Sequence, residues 1–355
     1  YYGRGCDSME LFRNCRIASD SRFREHLNRY DVIHVDINSF RRAGEPEEGI
    51  VSRIQGALLG ELRECYRECV PGDAVSLREA LAGINNAKGT RFVVIIDEWD
   101  AVFREEKEDN EAQTEYIDFL RGLFKDAPSK KFIKLAYLTG ILPIKKYGTE
   151  SALNNFDEFT MLEADVLAEY VGFTESEVRE LCEMHGMDFE RTAQWYDGYV
   201  VEKGLHVYNP KSVVDSIRRK RIGNYWTNTE TYESLKSYIS MNFDGLRDAV
   251  ARMLAGDSCR INPAKFQNDM TSFKSRDDIL TLLIHLGYLT YDRDTASVWI
   301  PNEEVKGEFV NAIEDAGWKP VMDAINASDR LLEATWQMDA EAVAERIGAV
   351  HMANT

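Results

Sequence analysis

Residues Phe92 to Asp100, FVVIIDEWD, constrain this chain more than any other stretch. The five residues Phe92 to Ile96 are all apolar, and polar residues bound them on both sides. A strand with no polar face is stable where both faces are covered, as in parallel sheets flanked by helices. Acids follow at once, at Asp97, Glu98 and Asp100. In open α/β sheets ligands collect beyond the carboxyl ends of the strands, so these acids stand where chemistry is expected.

The sequence around this strand alternates. A strand is expected at Asp31 to Asn38, DVIHVDIN, and a helix from about Glu48 to Cys69 that Pro71-Gly72 ends. A second helix is expected through Ser76 to Leu81. Past the acids come an acidic segment, Arg104 to Asn110, and a helix through Tyr116 to Phe124. A third strand, FIKLAYL, is expected at Phe132 to Leu138, and a shorter one at Phe159 to Leu162. Strands alternating with helices predict an α/β fold with a parallel sheet.

The alternation stops near Glu163, and the remainder reads as mostly helical. Thr174-x-x-Glu177 is a capping box, and Asn209-Pro210 pairs an N-cap with proline at the first helical position. Between residues 275 and 312, Ser275 caps a helix that Gly287 ends. YLTYD and SVWI then flank the turn Arg293-Asp294-Thr295, and Asn302 caps a further helix. Helix, hairpin and helix in that order predict a winged-helix-like unit. The expected division is therefore a core over 1–163, a helical lid over 164–274, a winged-helix-like unit over 275–315, and a polar helical linker over 316–355.

At 355 residues, with 44% apolar and 29% charged residues, the chain is an ordinary soluble globular sequence with room for more than one domain. It contains no apolar run of membrane-spanning length and no signal peptide pattern, and a cytoplasmic location is expected. It opens on Tyr1 with residues that read as the end of a helix already under way, so further sequence is expected upstream. Of the six cysteines only Cys65 and Cys69 lie close, at helical spacing, and no CxxC pair occurs; reduced thiols are expected. A formal net charge of −18 opposes phosphate backbones at long range.

Two acids directly after a buried strand are the Walker B arrangement of a P-loop NTPase-type core. Asp97 is the candidate for holding Mg²⁺, usually through water, since magnesium prefers hard oxygen ligands and keeps much of its hydration shell. Glu98 is the candidate for orienting or deprotonating an attacking water. Asp100 joins that network or begins the next turn. The third strand ends in Thr139-Gly140, where ATPases of this class place a polar residue beside the acids; Thr139 is that candidate, with a turn or capping hydroxyl as the alternative. A phosphate cradle would read G-x-x-x-x-G-K-[ST] between a strand and a helix, and no such run occurs. Gly83 to Thr90 has its lysine ahead of the second glycine and leads into a strand, so it is expected to be a loop.

Other clusters have plainer readings. Trp195-Tyr196-Asp197-Gly198-Tyr199 reads as packing of the helical lid onto the core, or as a nucleotide-stacking cluster. Arg218 to Arg221 is the densest basic run; it complements a helix carboxyl end, or contacts nucleic acid or a neighbour's nucleotide. Lys145-Lys146 is a solvated pair or a phosphate contact. His206 and His285 have no partners at ligand spacing and are expected to be structural.

The chain resembles the bacterial AAA-ATPase-like family. The residues that carry the resemblance are YYGRGCDSMELF, YDVIHVDIN, VVIIDEWDAVF, KLAYLTGILPIKKYGTESALNNFDEFTM, GFTESEV, WYDGY with VYNP, NYW, LLIHLGYLTYD and IPNEEV. The resemblance implies ATP and Mg²⁺ as cofactors, Asp97 and Glu98 as Walker B residues, a strand and phosphate loop before the position of Tyr1, and a PD-(D/E)XK nuclease-like domain after Thr355. This sequence contains neither flanking part, so the 355 residues alone are not expected to bind Mg-ATP tightly or to hydrolyse it. Two functions stay open: the ATPase module of a Mg²⁺-dependent hydrolase, or a non-catalytic scaffold that binds a protein or nucleic-acid partner. Duplex DNA is not expected to bind this fragment, and neither is a membrane.

Overall fold

A computed structural model describes residues 1–40, 49–105, 109–144, 146–147, 150–151, 153–202, 204–226, 232–241, 243–268, 270 and 273–353. The chain forms two compact units. The first holds Tyr1–Glu158 with Gln267–Ser272, and the second holds Phe159–Phe266 with Phe273–Thr355.

The first unit is an α/β layer. Strands β1 (Asp31–Asp36), β2 (Phe92–Asp97) and β3 (Ile133–Leu138) form a parallel three-stranded sheet in that order. The apolar run therefore becomes the central strand, and four of its first five residues are buried. Helices α1 (Ile50–Cys65), α2 (Leu77–Lys88) and α4 (Asn110–Phe124) belong to this unit, with the short α3 (Ala101–Glu105) directly after the acids. Ile33, Val35, Val94 and Ile96 of the sheet meet Ile54 and Leu58 of α1, Leu81 of α2 and Leu123 of α4 in one apolar interior. Each such buried side chain contributes roughly 1.5–3 kcal/mol of transfer free energy. Strand β3 is more open: Leu135 is 38% exposed and Tyr137 49%.

Several sequence expectations are revised here. The first strand stops at Asp36, and Ile37–Phe40 is a 3₁₀ turn. Gly83 to Lys88, expected to be loop, is the second half of α2, which the Ser76–Glu79 capping box starts and left-handed Gly89 ends. Gly83 serves close packing: a Cβ there would meet Pro71 Cδ at 2.6 Å and the Cys69 carbonyl at 2.8 Å. The segment Phe159 to Leu162 forms no strand, only an isolated Thr160–Glu163 bridge.

The second unit is mostly helical. It contains α5 (Glu175–His185), α6 (Phe189–Tyr196), α7 (Pro210–Arg219), α8 (Tyr232–Ile239) and α9 (Leu246–Leu254). Then follow α10 (Arg276–His285), α11 (Glu303–Asp315), α12 (Lys319–Trp336) and α13 (Ala340–Ala353). Strands β4 (Phe173–Thr174), β5 (Tyr199–Val200) and β6 (His206–Tyr208) form one small antiparallel sheet. Strands β7 (Cys259–Arg260), β8 (Thr290–Asp292) and β9 (Ser297–Trp299) form another. The caps read from sequence are present: Thr174 with Glu177, Asn209 before Pro210, Ser275 with Asp278, and Asn302 on the Val305 amide. The order α10, β8–β9 hairpin, α11 is helix, hairpin, helix, and β7 adds a third strand to the hairpin.

Among the described residues no helix is long and apolar enough to cross a membrane.

Candidate functional site

Parallel pairing sets Asp36 of β1 beside Asp97 of β2, and Ile96 of β2 beside Leu138 of β3. The β2–β3 ladder continues one step past the strands, with Thr139 N donating to Ile96 O and Trp99 N donating to Thr139 O, each at 2.9 Å. This fixes Thr139 next to Asp97, and the Thr139 hydroxyl donates to Asp97 Oδ1. The Glu98 amide donates to the same oxygen at 3.0 Å. Both bonds fall on Oδ1 of an exposed carboxylate, and hard carboxylate oxygens at an exposed position suit an aquated divalent cation.

Glu98 lies directly after the strand with φ +53°, a left-handed conformation that costs a non-glycine residue of order 1–3 kcal/mol. Partial burial pushes its carboxyl above the usual carboxylate value; Arg104 opposes that shift, and Asp100, Asp97 and Asp36 reinforce it. Asp100 is fully buried. Its Oδ2 accepts the Ile141 and Leu142 amides at 3.2 and 2.8 Å and the Arg104 Nε at 3.1 Å. Burial pushes Asp100 upward as well, against the pull of Arg104 and those amides. Gly140 makes the approach possible, since a Cβ there would lie 2.4 Å from Asp100 Oδ1 and 2.6 Å from the Trp99 ring.

The structure thus brings Asp97, Glu98 and Thr139 together and turns Asp100 inward, to hold the turn after β3. Sequence reasoning passed over two members of the cluster. Asp36 ends its own strand as Asp97 does, and parallel register makes that coincidence readable. Arg104 was read as part of an acidic segment, although it sits at i+4 from Asp100. Among the described residues no group of three or more His, Cys, Asp or Glu side chains converges as a ready metal cage.

The other candidates lie elsewhere. Tyr196 and Tyr199 pack inside the second unit: Tyr196 donates to the Gly223 carbonyl at 2.8 Å and Tyr199 to the Gly287 carbonyl at 2.9 Å. Gly198, with φ +110°, passes so close to Pro301 that a Cβ would lie 2.0 Å from its carbonyl oxygen. In the basic run, Lys220 reaches the His185 carbonyl, Arg219 covers the Tyr225 ring at 5.3 Å, and Arg218 lies 3.8 Å from Asp215. His206 is near Asp197 at 3.3 Å, and His285 is buried against Phe266. Lys145 and the side chain of Lys146 lie outside the described residues. All six cysteines are free thiols, with Cys182 and Cys259 buried.

A protein of Azotobacter chroococcum mcd 1, described as an uncharacterized protein in the vnfD 5'region, is 30% identical over 158 residues, which cover 43% of this chain and 30% of that relative. The family model described as "Predicted AAA-ATPase" matches residues 1–149, the stretch that contains Asp97, Glu98 and Thr139, and over those residues the chain is similar to that family.

Proposed function

We propose that the first unit is the nucleotide-hydrolysing module of a Mg²⁺-dependent ATPase with a P-loop-type core. The observation that supports this most is the exposed Asp97 carboxylate, braced by Thr139 at the carboxyl end of the central parallel strand. In this reading Asp97 holds Mg²⁺ through water, Glu98 orients the attacking water, and Thr139 fixes the Asp97 rotamer. The Asp97 carboxylate is a hard oxygen donor of the kind an aquated Mg²⁺ takes. A triphosphate would need in addition a G-x-x-x-x-G-K-[ST] run, which these 355 residues do not contain. Each charge-assisted phosphate hydrogen bond is worth roughly 1.5–3 kcal/mol, so the 355 residues alone should bind Mg-ATP only in the millimolar range or weaker.

The helix–hairpin–helix order in the second unit supports a second reading, a regulatory scaffold whose α/β unit does not handle nucleotide. The helix–hairpin–helix of the second unit then serves as a winged-helix-like contact element for a protein partner. The coding sequence upstream of Tyr1 separates the two. A phosphate-loop run there supports the ATPase, and the longer product should then hydrolyse ATP, with Glu98→Gln abolishing turnover while ATP binding persists. A start codon without such a run, or turnover that survives Glu98→Gln, defeats the ATPase reading.

A further inference from the structure

Arg104 stands one helical turn beyond Asp100, and only 16% of its side chain is exposed. Its Nη2 pairs with the Glu98 carboxylate, and its Nε donates to Asp100 Oδ2 at 3.1 Å. That oxygen is tied in turn to the turn after β3 through the Ile141 and Leu142 amides. A chain of contacts therefore runs from Glu98 through Arg104 and Asp100 to the end of the neighbouring strand. Among the described residues Asp97 is held more lightly, by the Thr139 hydroxyl and the Glu98 amide, both on one oxygen.

A free carboxylate beside a metal-holding one can join it as a second ligand, since hard divalent cations take oxygen ligands and often one or two carboxylates. Here Glu98 is already engaged by Arg104. We infer that Arg104 is a positioning residue of the acidic site: it acts as a resident cation that holds Glu98 back from the metal position, so that Glu98 does not join Asp97 as a ligand of a divalent ion. This rests on the reading of Asp97 as the metal-holding residue, and it adds what keeps Glu98 available as a water-orienting group rather than a ligand.

Dependence on Glu98 distinguishes this role from a purely electrostatic or structural one. Loss of an arginine that acts only through its charge changes metal affinity alike with Glu98 or Gln at position 98, whereas loss of a restraint on Glu98 strengthens binding only while Glu98 can serve as a ligand. The test is a Mn²⁺ titration of the full chain, with free Mn²⁺ counted by electron paramagnetic resonance at low ionic strength. Arg104→Gln is expected to bind Mn²⁺ at least about fivefold more tightly than wild type, the scale of one added charged ligand. Arg104→Lys keeps a cation in place and should stay within about twofold. In the Glu98→Gln background, adding Arg104→Gln should give no comparable gain over Glu98→Gln alone. Arg104→Gln strands the buried Asp100 charge, so the Arg104→Gln/Asp100→Asn double variant is titrated too; its side-chain oxygen can still accept the two amides, and the same gain is expected.

Unchanged or weaker affinity in both arginine-free variants overturns the inference, as does a gain that survives Glu98→Gln or an absence of Mn²⁺ binding in every variant. The underlying reading fails separately: if Asp97→Asn binds Mn²⁺ as wild type does, Asp97 is not the ligand. A Glu98-dependent gain on losing Arg104 would still support the hold on Glu98.

Discussion

The Thr139 hydroxyl hydrogen-bonds to Asp97 across adjacent parallel strands, although 42 positions separate the two residues in sequence. The contact is positioned by backbone, because the Thr139 amide and carbonyl are both used in the β2–β3 ladder. A side chain held that way fixes the rotamer of its partner. Thr139→Val keeps the shape and removes the hydroxyl, so it should leave thermal stability nearly unchanged and weaken Mn²⁺ binding by about tenfold, the lower end of what losing a ligand's hydrogen-bond partner costs. Thr139→Ser should bind as wild type. Equal binding by the valine variant would take Thr139 out of the site.

Gly140 offers a sharper structural test. An alanine there places Cβ against the buried Asp100 carboxylate and the Trp99 ring, and neither has room to withdraw, since Trp99 Nε1 is bonded to the Leu142 carbonyl at 3.2 Å. Gly140→Ala should cost about 1–3 kcal/mol in urea denaturation. Gly60, inside α1, has open space at its Cβ position. Gly60→Ala should instead stabilise by about 0.5–1 kcal/mol, through helix propensity alone. If both glycines behave alike, close approach is not why Gly140 is there.

What the sequence made legible follows from range. The central strand was readable because five consecutive apolar residues admit only two-sided burial, and the caps at Ser275 and Asn302 were readable because they act within three residues. The Asp97–Thr139 pairing was readable at one remove, as two strands each ending in polar residues. Contacts set by tertiary packing were not. Gly83 looked like a loop residue because its reason, the approach of Pro71, lies outside its own helix. Two-residue strands such as Cys259–Arg260 carry no periodicity to read. The bridge from Arg104 to Glu98 depends on a left-handed turn at Glu98, which residue type does not announce.

Glu304 and Glu308 give the second unit a pH signature. They lie one turn apart on α11, and 1% and 3% exposed. Glu304 accepts the Tyr225 and Trp226 amides at 2.7 and 3.1 Å and the Ser212 hydroxyl at 2.7 Å, while Glu308 accepts the Asn224 side-chain amide. Burial pushes both carboxyls above the ordinary value; their hydrogen bonds oppose this, and the Glu304 charge adds to the rise at Glu308. An acid raised by folding contributes stability below its unfolded value and loses it as pH climbs through the folded one. As pH climbs past the ordinary glutamate value, wild type should therefore lose stability that Glu304→Gln keeps, because the glutamine oxygen can still accept both amides and its nitrogen can donate to Ser212. Glu304→Ala should cost about 1–3 kcal/mol for each group it orphans. Thermal melts over that rise in pH measure the difference; parallel curves for wild type and Glu304→Gln would refute it.

Duplex DNA is the partner that a helix–hairpin–helix order most readily brings to mind, and the second unit is poorly made for it. Eight consecutive residues of α10, Asp278 to His285, are buried, so that helix has no face left for a groove. Helix α11 buries Glu304 and Glu308 and opens with the acids Glu303 and Glu304. The basic run is largely engaged within the unit, through the His185 carbonyl, the Tyr225 ring and Asp215. Non-specific affinity comes mainly from phosphate neutralisation by Lys and Arg and falls steeply with salt, and the chain carries a net charge of −18. The full chain should show no shift of duplex DNA at about 150 mM salt, and only weak binding at low salt that disappears when Arg218, Arg219, Lys220 and Arg221 are replaced together by alanine. Sub-micromolar binding at about 150 mM salt that survives the fourfold replacement would mean that another surface of the chain binds DNA, and it would make nucleic acid the leading partner.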